Sequence, residues 1–167
     1  MHITSDYVTD KFNIVATGGT FDEIHIGHLA LLSKAFEHGK KVIIGVSSDE
    51  FADSVRGKWK ITHTYEQRIA NLRHVIQANF GDVIYEITKL NTTYGPTVMS
   101  DQVDALITSS ETAKKGSEIN EIRSNNGIKP LVIVTVDMIR AEDGYPVSSS
   151  RIRTGQIDPH GKLLKSK

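Results

Sequence analysis

The stretch that decides the fold, residues 12–29, reads FNIVATGGTFDEIHIGHL. It begins with the apolar run FNIVA at Phe12–Ala16, continues through two adjacent glycines, and ends in a segment with the apolar spacing of a helix. A short, continuous apolar run that leads through glycine into a helix is typical of a strand in a parallel sheet covered on both faces. We therefore expect an α/β fold.

The rest of the chain repeats this alternation of strand-like and helix-like segments. Further strands are predicted at Lys41–Val46, Val103–Thr108 and Leu131–Val136, with a weaker one at Asp82–Ile87. Helices are predicted at Ile26–His38, which ends at Gly39 as its C-cap, and at Tyr65–Phe80 and Glu111–Asn126. The alternation predicts right-handed β-α-β units, and thus a single Rossmann-like, doubly wound domain with a mainly parallel sheet of about five strands and helices on both faces.

The chain has 167 residues, 20 basic and 20 acidic side chains, and no cysteine. We place one domain at residues 1–157, followed at residues 158–167 by a polar, basic tail that we expect to be partly disordered. The missing cysteine excludes disulfides, thiolate zinc sites and cysteine nucleophiles. Zero net charge predicts no general affinity for nucleic acid or acidic membranes. Because no signal peptide or run of about 18 apolar residues occurs, no membrane association and a cytoplasmic location are expected.

Chemistry is expected just after the strands, because ligands of doubly wound sheets bind beyond the carboxyl ends of the strands. Gly18 and Gly19 follow the first strand and allow backbone N–H groups to approach a phosphate or an adenine, although their spacing fits neither a P-loop nor the dinucleotide-binding fingerprint. His25 and His28 share one face of a helix start, where an anion can lie between them. A solvated or capping histidine pair is the structural alternative, and the spacing does not favour a metal site.

A hydroxyl cluster near the other end of the chain reads PVSSSRIR at Pro146–Arg153. Serine hydroxyls that cap a short helix, followed by an arginine, can bind phosphate through charge-assisted hydrogen bonds. A serine-rich turn with an N-cap is the structural alternative. A second positive region lies between Arg56 and Arg73, a stretch rich in basic residues in which Glu66 is the only acidic residue. Because such a run is usually a solvated face, it does not by itself establish an anion site.

These motifs resemble the signatures of the HxGH nucleotidyltransferases. The first spans Gly18–His28 with GGTFD followed by HIGH, and the second is similar to the family's Ile-Ser-Ser-Ser/Thr-x-Ile-Arg, with Val147 in place of isoleucine. The resemblance implies transfer of a nucleoside monophosphate from a triphosphate to a phosphorylated acceptor, with release of pyrophosphate. Class I aminoacyl-tRNA synthetases carry a similar His-Ile-Gly-His, but their Lys-Met-Ser-Lys-Ser partner is absent from this chain.

The middle of the chain resembles phosphopantetheine adenylyltransferases of the archaeal and eukaryotic type. The similarity lies in Tyr94–Thr97, Asp101, Thr108–Thr112, Lys114, Asn120 and Arg123, with Ala113 where that type usually has tyrosine. It implies transfer of AMP from ATP to 4′-phosphopantetheine, giving dephospho-coenzyme A and pyrophosphate, with Mg²⁺ accompanying ATP. Another phosphorylated acceptor, such as nicotinamide mononucleotide or glycerol 3-phosphate, and a non-catalytic nucleotide-binding module stay open, as do monomeric and homo-oligomeric states.

The resemblance also implies roles for individual residues in a direct in-line attack without a covalent enzyme intermediate. The histidines would contact the α- and β-phosphates, Thr20 with Lys60 or Lys58 would hold the acceptor phosphate, and the serine cluster would hold the departing phosphates. The implied catalytic residues are His28, His25 and Lys60. The implied nucleotide-binding residues are Gly18, Gly19, Thr20, Phe21, Lys58, Ser110, Glu111, Lys114, Ser148, Ser149, Ser150 and Arg153, and no side chain is expected to bind a metal.

Overall fold

The structure, a computed structural model, describes residues 11–56, 61–110 and 112–165. Strands and helices alternate in the order β1 (Phe12–Gly19), α1 (Ile26–His38), β2 (Gly39–Ser47), α2 (Asp49–Arg56), α3 (Tyr65–Phe80), β3 (Tyr85–Leu90), β4 (Ala105–Ser109), α4 (Ala113–Asn125), β5 (Val132–Val136) and α5 (Ser149–Arg153). A 3₁₀ turn at Gly95–Val98 lies between β3 and β4. None of the helices in these described ranges is long and apolar enough to cross a membrane.

The five strands form one parallel sheet in the order β3-β2-β1-β4-β5. The chain runs outward from the central β1 through β2 and β3, and then returns to the centre to begin β4. The connections that leave β1 and β4 therefore run to opposite sides, which opens a crevice at the carboxyl ends of these two strands. The predicted Rossmann-like, doubly wound sheet is confirmed.

Both faces of the sheet are covered with apolar side chains. One face packs against α1 and α3, and its fully buried residues include Val15, Ile44, Leu32 and Leu72. The opposite face packs against α4 through residues such as Ala16, Leu106 and Ile119. Because successive strand residues point to opposite faces, strands that are buried on both sides read as continuous apolar runs, as the sequence does here.

The predicted helices at Ile26–His38 and Tyr65–Phe80 are confirmed, whereas several strand ends differ from the prediction. Strand β1 runs on to Gly19, because its two glycines pair with Gly45 and Val46 of β2. Gly39 caps α1 in an extended conformation, since it is already the first residue of β2. Helix α2 was not predicted from the sequence. It has only eight residues, although its apolar residues, Phe51, Ala52 and Val55, have helical spacing.

The segment that we expected to be a tail makes contacts with the domain as far as Leu164. Ile157 is fully buried in a small apolar cluster with Ala141 and Val147, and it forms an isolated antiparallel bridge with Leu163. The backbone N–H of Ile26, the first residue of α1, donates a hydrogen bond to the carbonyl of Pro159 at 3.0 Å. This segment therefore buttresses the start of α1, where the histidine motif lies.

Candidate active site

A cavity of about 650 Å³ opens at the carboxyl ends of the strands, where the topology places the crevice. The ends of β1, β2 and β4 form its floor, and the start of α1 and the serine segment before and within α5 form part of its wall. The predicted residues that line it are Gly18, Gly19, Thr20, His25, His28, Ser148, Ser149 and Ser150. Two motifs from opposite ends of the sequence therefore meet at one site.

The floor of this cavity lacks side chains at the point where two glycines of neighbouring strands pair. Gly18 of β1 lies beside Gly45 of β2 in the parallel register. A Cβ on Gly18 would lie 3.1 Å from the carbonyl oxygen of Gly45, and one on Gly45 would lie 2.8 Å from the side chain of Leu90. Larger residues would therefore be crowded here, because the side chain of Leu90 lies over both glycines.

The two histidines are held by the helix that they cap. His25 is the N-cap of α1, and its Nδ1 accepts a hydrogen bond from the backbone N–H of Gly27 at 3.0 Å. The Nδ1 of His28 accepts one from the backbone N–H of His25 at 3.2 Å, and the two rings stack with their centroids 3.9 Å apart. A Cβ at residue 27 would lie 2.8 Å from Cε1 of His25, so a side chain there would displace this ring.

This cap also determines which ring nitrogen carries the proton. Because the Nδ1 atoms of His25 and His28 both accept backbone hydrogen bonds, each neutral ring carries its proton on Nε2. Burial lowers the pKa of His25 to about 4, so this ring is neutral near pH 7. The capping alternative and the anion-binding interpretation are therefore compatible, since capping uses Nδ1 and phosphate binding would use Nε2–H.

Phe21 lies beneath the histidines and not on the cavity wall. Its side chain is buried, and its ring centroid lies 5.1 Å from that of His28. The residue has a φ of 55°, a left-handed conformation that costs a non-glycine residue about 1–3 kcal/mol. Tight packing of the ring against the core of the domain holds this turn. The structure therefore favours a supporting role for Phe21 over direct contact with the nucleotide.

The serine cluster caps the short helix α5, as the sequence predicts. Ser148 is the N-cap, and its Oγ accepts a hydrogen bond from the backbone N–H of Arg151 and lies 3.3 Å from the Oγ of Ser150. Ser149 donates a hydrogen bond to the carbonyl of Glu23 at 3.3 Å, which ties α5 to the loop before α1. Capping and cavity lining are thus combined in the same residues.

The two arginines of α5 are engaged by acidic partners. Arg151 pairs with Asp143. Arg153 donates through Nη2 to the carboxylate of Asp22 at 3.1 Å and through Nε to the hydroxyl of Thr62 at 3.3 Å. Within the described part of the chain, neither arginine lines the cavity. From the sequence, Arg153 is expected to bind phosphate. To do so, its guanidinium would have to contact a phosphate in addition to Asp22.

Other residues of the predicted set lie elsewhere. Lys114 is exposed, and its neighbour Lys115 lines the cavity instead. Since α4 begins at Ala113, consecutive residues point in directions about 100° apart, and the sequence alone does not determine which lysine faces inward. Ser110 lines a shallower neighbouring pocket. The remaining three, Lys58, Lys60 and Glu111, lie outside the described residues.

Part of the positive region between Arg56 and Arg73 belongs to the scaffold. Arg68 is 1% exposed and donates hydrogen bonds to the carbonyls of Thr20 and His63 and to the carboxylate of Asp49, at 2.8, 3.1 and 2.9 Å. Its guanidinium therefore fixes backbone on two sides of the site and is not available to phosphate. Arg123, which contributes to the family resemblance, is likewise buried and donates to backbone carbonyls.

One group of described residues has the composition of a metal site, Asp22 with Glu23 and His63. Both carboxylate oxygens of Asp22 already accept backbone N–H groups, and the guanidinium of Arg153 lies 3.1 Å from one of them. A cation placed here would face this fixed positive charge and would have to break these hydrogen bonds. The group therefore does not fit a resident Mg²⁺.

Comparison of the sequence with known proteins identifies the family of this chain. The Cytidylyltransferase-like family profile matches residues 16–155, which include both motifs. The phosphopantetheine adenylyltransferase of Methanothermobacter thermautotrophicus is 43% identical over 155 residues, which cover 93% of this chain and 92% of the relative. The chain belongs to the phosphopantetheine adenylyltransferase family. A second member, from Thermococcus kodakarensis, is 42% identical over 154 residues, 92% of each chain.

A solved structure supports the same fold. A protein of unknown function from Archaeoglobus fulgidus superposes with a TM-score of 0.67 and 33% sequence identity, over 74% of this chain and 88% of that chain. The family resemblance that the motifs predict is confirmed by the family profile and the named relatives. The cavity with its histidine pair lies at the carboxyl ends of the strands, where doubly wound sheets bind ligands.

Proposed function

We propose that this chain transfers AMP from ATP to 4′-phosphopantetheine, releasing pyrophosphate and forming dephospho-coenzyme A, in the cytoplasm. The observation that carries the proposal is the meeting of the stacked pair His25–His28 with Ser148–Ser150 across one cavity, at the topological switch point between β1 and β4. The named relatives, similar over nearly the whole length, support the choice of substrates.

The reaction proceeds by direct transfer. An oxygen of the acceptor phosphate forms a bond to the α-phosphorus of ATP, while the bond from the α-phosphorus to the bridging oxygen breaks and pyrophosphate leaves on the opposite side. No protein nucleophile takes part. The protein accelerates such a step by holding two polyanions in line and by stabilising charge on the equatorial oxygens.

Both histidines act as hydrogen-bond donors in this proposal, and His25 does so as a neutral ring. The Nε2–H groups of His25 and His28 donate hydrogen bonds to oxygens of the α- and β-phosphates, in geometry fixed by the Nδ1 caps. Because the caps are made by the backbone of α1 itself, the donors are oriented by the fold and need no reorganisation in the transition state. A neutral donor also avoids the cost of burying a positive imidazolium before the phosphates arrive.

The remaining roles divide between the two phosphate groups. Thr20 and one of the lysines, Lys60 or Lys58, bind the acceptor phosphate. The hydroxyls of Ser148–Ser150 bind the departing phosphates together with a lysine of α4, for which Lys115 is favoured by its place on the cavity wall and Lys114 was the expectation. The adenine lies against the Gly18–Gly19 backbone. Bound together with ATP, Mg²⁺ would supply positive charge that reduces the repulsion between the phosphate groups.

Release of pyrophosphate from ATP tests this proposal. The purified protein is assayed with 4′-phosphopantetheine and, separately, with nicotinamide mononucleotide and with glycerol 3-phosphate. We expect release with 4′-phosphopantetheine only, and formation of dephospho-coenzyme A in equal amount. Release with another acceptor alone would overturn the acceptor assignment and keep the transfer mechanism, whereas no release with any acceptor would favour a nucleotide-binding module.

A further inference from the structure

The carboxylate of Asp22 joins three separate segments of the chain around the cavity. Its side chain is fully buried. One oxygen, Oδ2, accepts the backbone N–H of Thr62 at 2.8 Å and the Nη2 of Arg153 at 3.1 Å. The other, Oδ1, accepts the backbone N–H of His63 at 2.9 Å and lies 3.1 Å from its Nδ1. Four contacts thus converge on one side chain.

Each of these segments carries part of the phosphate chemistry. Asp22 itself lies between Thr20 and the histidine cap of α1, both on the cavity wall. Thr62 and His63 follow closely after the pair Lys58 and Lys60 in the sequence. The third segment, α5, begins at the serine cluster and carries Arg153 at its end. A change at Asp22 therefore acts on all three at once.

The electrostatics of the group favour a fixed, ionised carboxylate. Burial alone would raise the pKa of Asp22, but the hydrogen bonds from Thr62, His63 and Arg153 outweigh this and lower it. The ionised carboxylate in turn holds Arg153, whose Nη1 is buried and has no hydrogen-bond partner within the described ranges 11–56, 61–110 and 112–165. A buried guanidinium nitrogen without an acceptor is costly, and a phosphate oxygen of the substrate can supply one when the Arg153 side chain turns toward the cavity, which it does not line in this structure.

We propose that Asp22 is a positioning residue, which sets Arg153 and residues 62–63 at fixed places relative to the histidine pair. Asp22 does not touch the reacting atoms. It acts on the departing phosphates through Arg153 and on the acceptor phosphate through the backbone of residues 62–63. This inference rests on the proposed function, because it assigns the two phosphate groups to their sites.

The variant Asp22→Asn tests the inference with little change in shape. An amide offers one acceptor oxygen and one NH₂ group, so the NH₂ group faces either the two donors from Thr62 and Arg153 or the backbone N–H of His63. We expect roughly a 10- to 100-fold loss in kcat/KM for ATP, and a weaker affinity for pyrophosphate measured by calorimetry, since a hydrogen bond to a charged group contributes about 1.5–3 kcal/mol. The KM for the acceptor rises as well.

A double-variant cycle separates the two routes of action. If Asp22 acts on the departing phosphates through Arg153, then Asp22→Asn in an Arg153→Gln background changes pyrophosphate affinity by no more than about twofold. The rise in acceptor KM persists in that background, because it depends on residues 62–63. The double variant also removes both buried charges together. If the single variant does not fold, the double variant can therefore still be compared with Arg153→Gln alone.

The matched control is Asp104→Asn, at the amino end of β4 and thus at the end of the sheet opposite the cavity. Asp104 accepts the backbone N–H of Ile14 at 3.2 Å, just before β4, and lies away from the cavity. We expect this variant to change the melting temperature but neither KM. A purely structural role for Asp22 would lower kcat through a smaller folded fraction. It would leave every KM and the pyrophosphate affinity unchanged, and that result would overturn the inference.

The binding of pyrophosphate and of ATP is measured without turnover. If the protein shows no activity with the acceptor, this result would therefore contradict the proposed function and not this inference.

Discussion

Replacing His25 by asparagine should make the stability of the fold less dependent on pH. In the folded protein the pKa of His25 is lowered to about 4 from the ordinary 6.5, because the ring is buried. Between these two values the unfolded chain binds a proton that the folded chain does not, so the free energy of unfolding falls as the pH falls from 7 towards 4. The full difference corresponds to about 3 kcal/mol, of which about 2 kcal/mol is lost between pH 7 and pH 5.

Urea unfolding at pH 7 and at pH 5 measures this directly for the wild type and for His25→Asn. Asparagine is a good N-cap, so the variant keeps an acceptor for the amino end of α1 while it lacks a titrating group. We expect the wild type to lose about 2 kcal/mol more than the variant between the two pH values. His74→Asn, an exposed position on α3, serves as the matched control and keeps the wild-type slope. An equal pH dependence in His25→Asn and wild type would refute the reasoning that this ring is held neutral.

Three further substitutions test the site and its scaffold. His28→Ala should lower kcat by about 100- to 1,000-fold in the pyrophosphate assay while ATP binding by calorimetry changes far less, with His74→Ala as the unaffected control; an unchanged kcat would remove His28 from the mechanism. Lys115→Ala should weaken pyrophosphate binding more than Lys114→Ala, since Lys115 lines the cavity, and the reverse order would restore the role first expected for Lys114. Arg68→Met should destabilise the fold by about 3 kcal/mol in urea unfolding, because it leaves two carbonyls unpaired, and a loss under 1 kcal/mol would contradict its structural role.

The fold could be predicted because its strands are buried on both faces. Runs such as Phe12–Ala16 and Leu131–Val136 are continuous and apolar, and α1 and α3 carry clear helical spacing, so the alternation predicted the parallel sheet. The strand ends could not be placed in the same way. Gly18 and Gly19 have no apolar side chains, yet their backbone groups continue the ladder with β2. Side-chain patterns report burial, whereas strand length depends on backbone pairing.

The site was predictable where local geometry determines it. The three-residue spacing of His25 and His28 predicts that the two rings lie together at a helix start, where His25 is the N-cap and His28 lies on the first turn. The serine cluster likewise lies at the helix start that its composition suggests. The partners of charged groups were not predictable, because they come from distant parts of the chain. Nothing in the sequence distinguishes the roles of Arg68 and Arg153. In the structure, Arg68 donates hydrogen bonds to backbone carbonyls, whereas Arg153 donates to a buried carboxylate.

The central claim, that the cavity joins an ATP site to a phosphorylated acceptor site, is tested most directly by one measurement. Pyrophosphate release from ATP is followed with 4′-phosphopantetheine for the wild type and for His28→Ala under the same conditions. The account predicts pyrophosphate and dephospho-coenzyme A in equal amounts from the wild type, and a rate about 100- to 1,000-fold lower from the variant. Equal rates from the two proteins, or pyrophosphate without dephospho-coenzyme A, would contradict it.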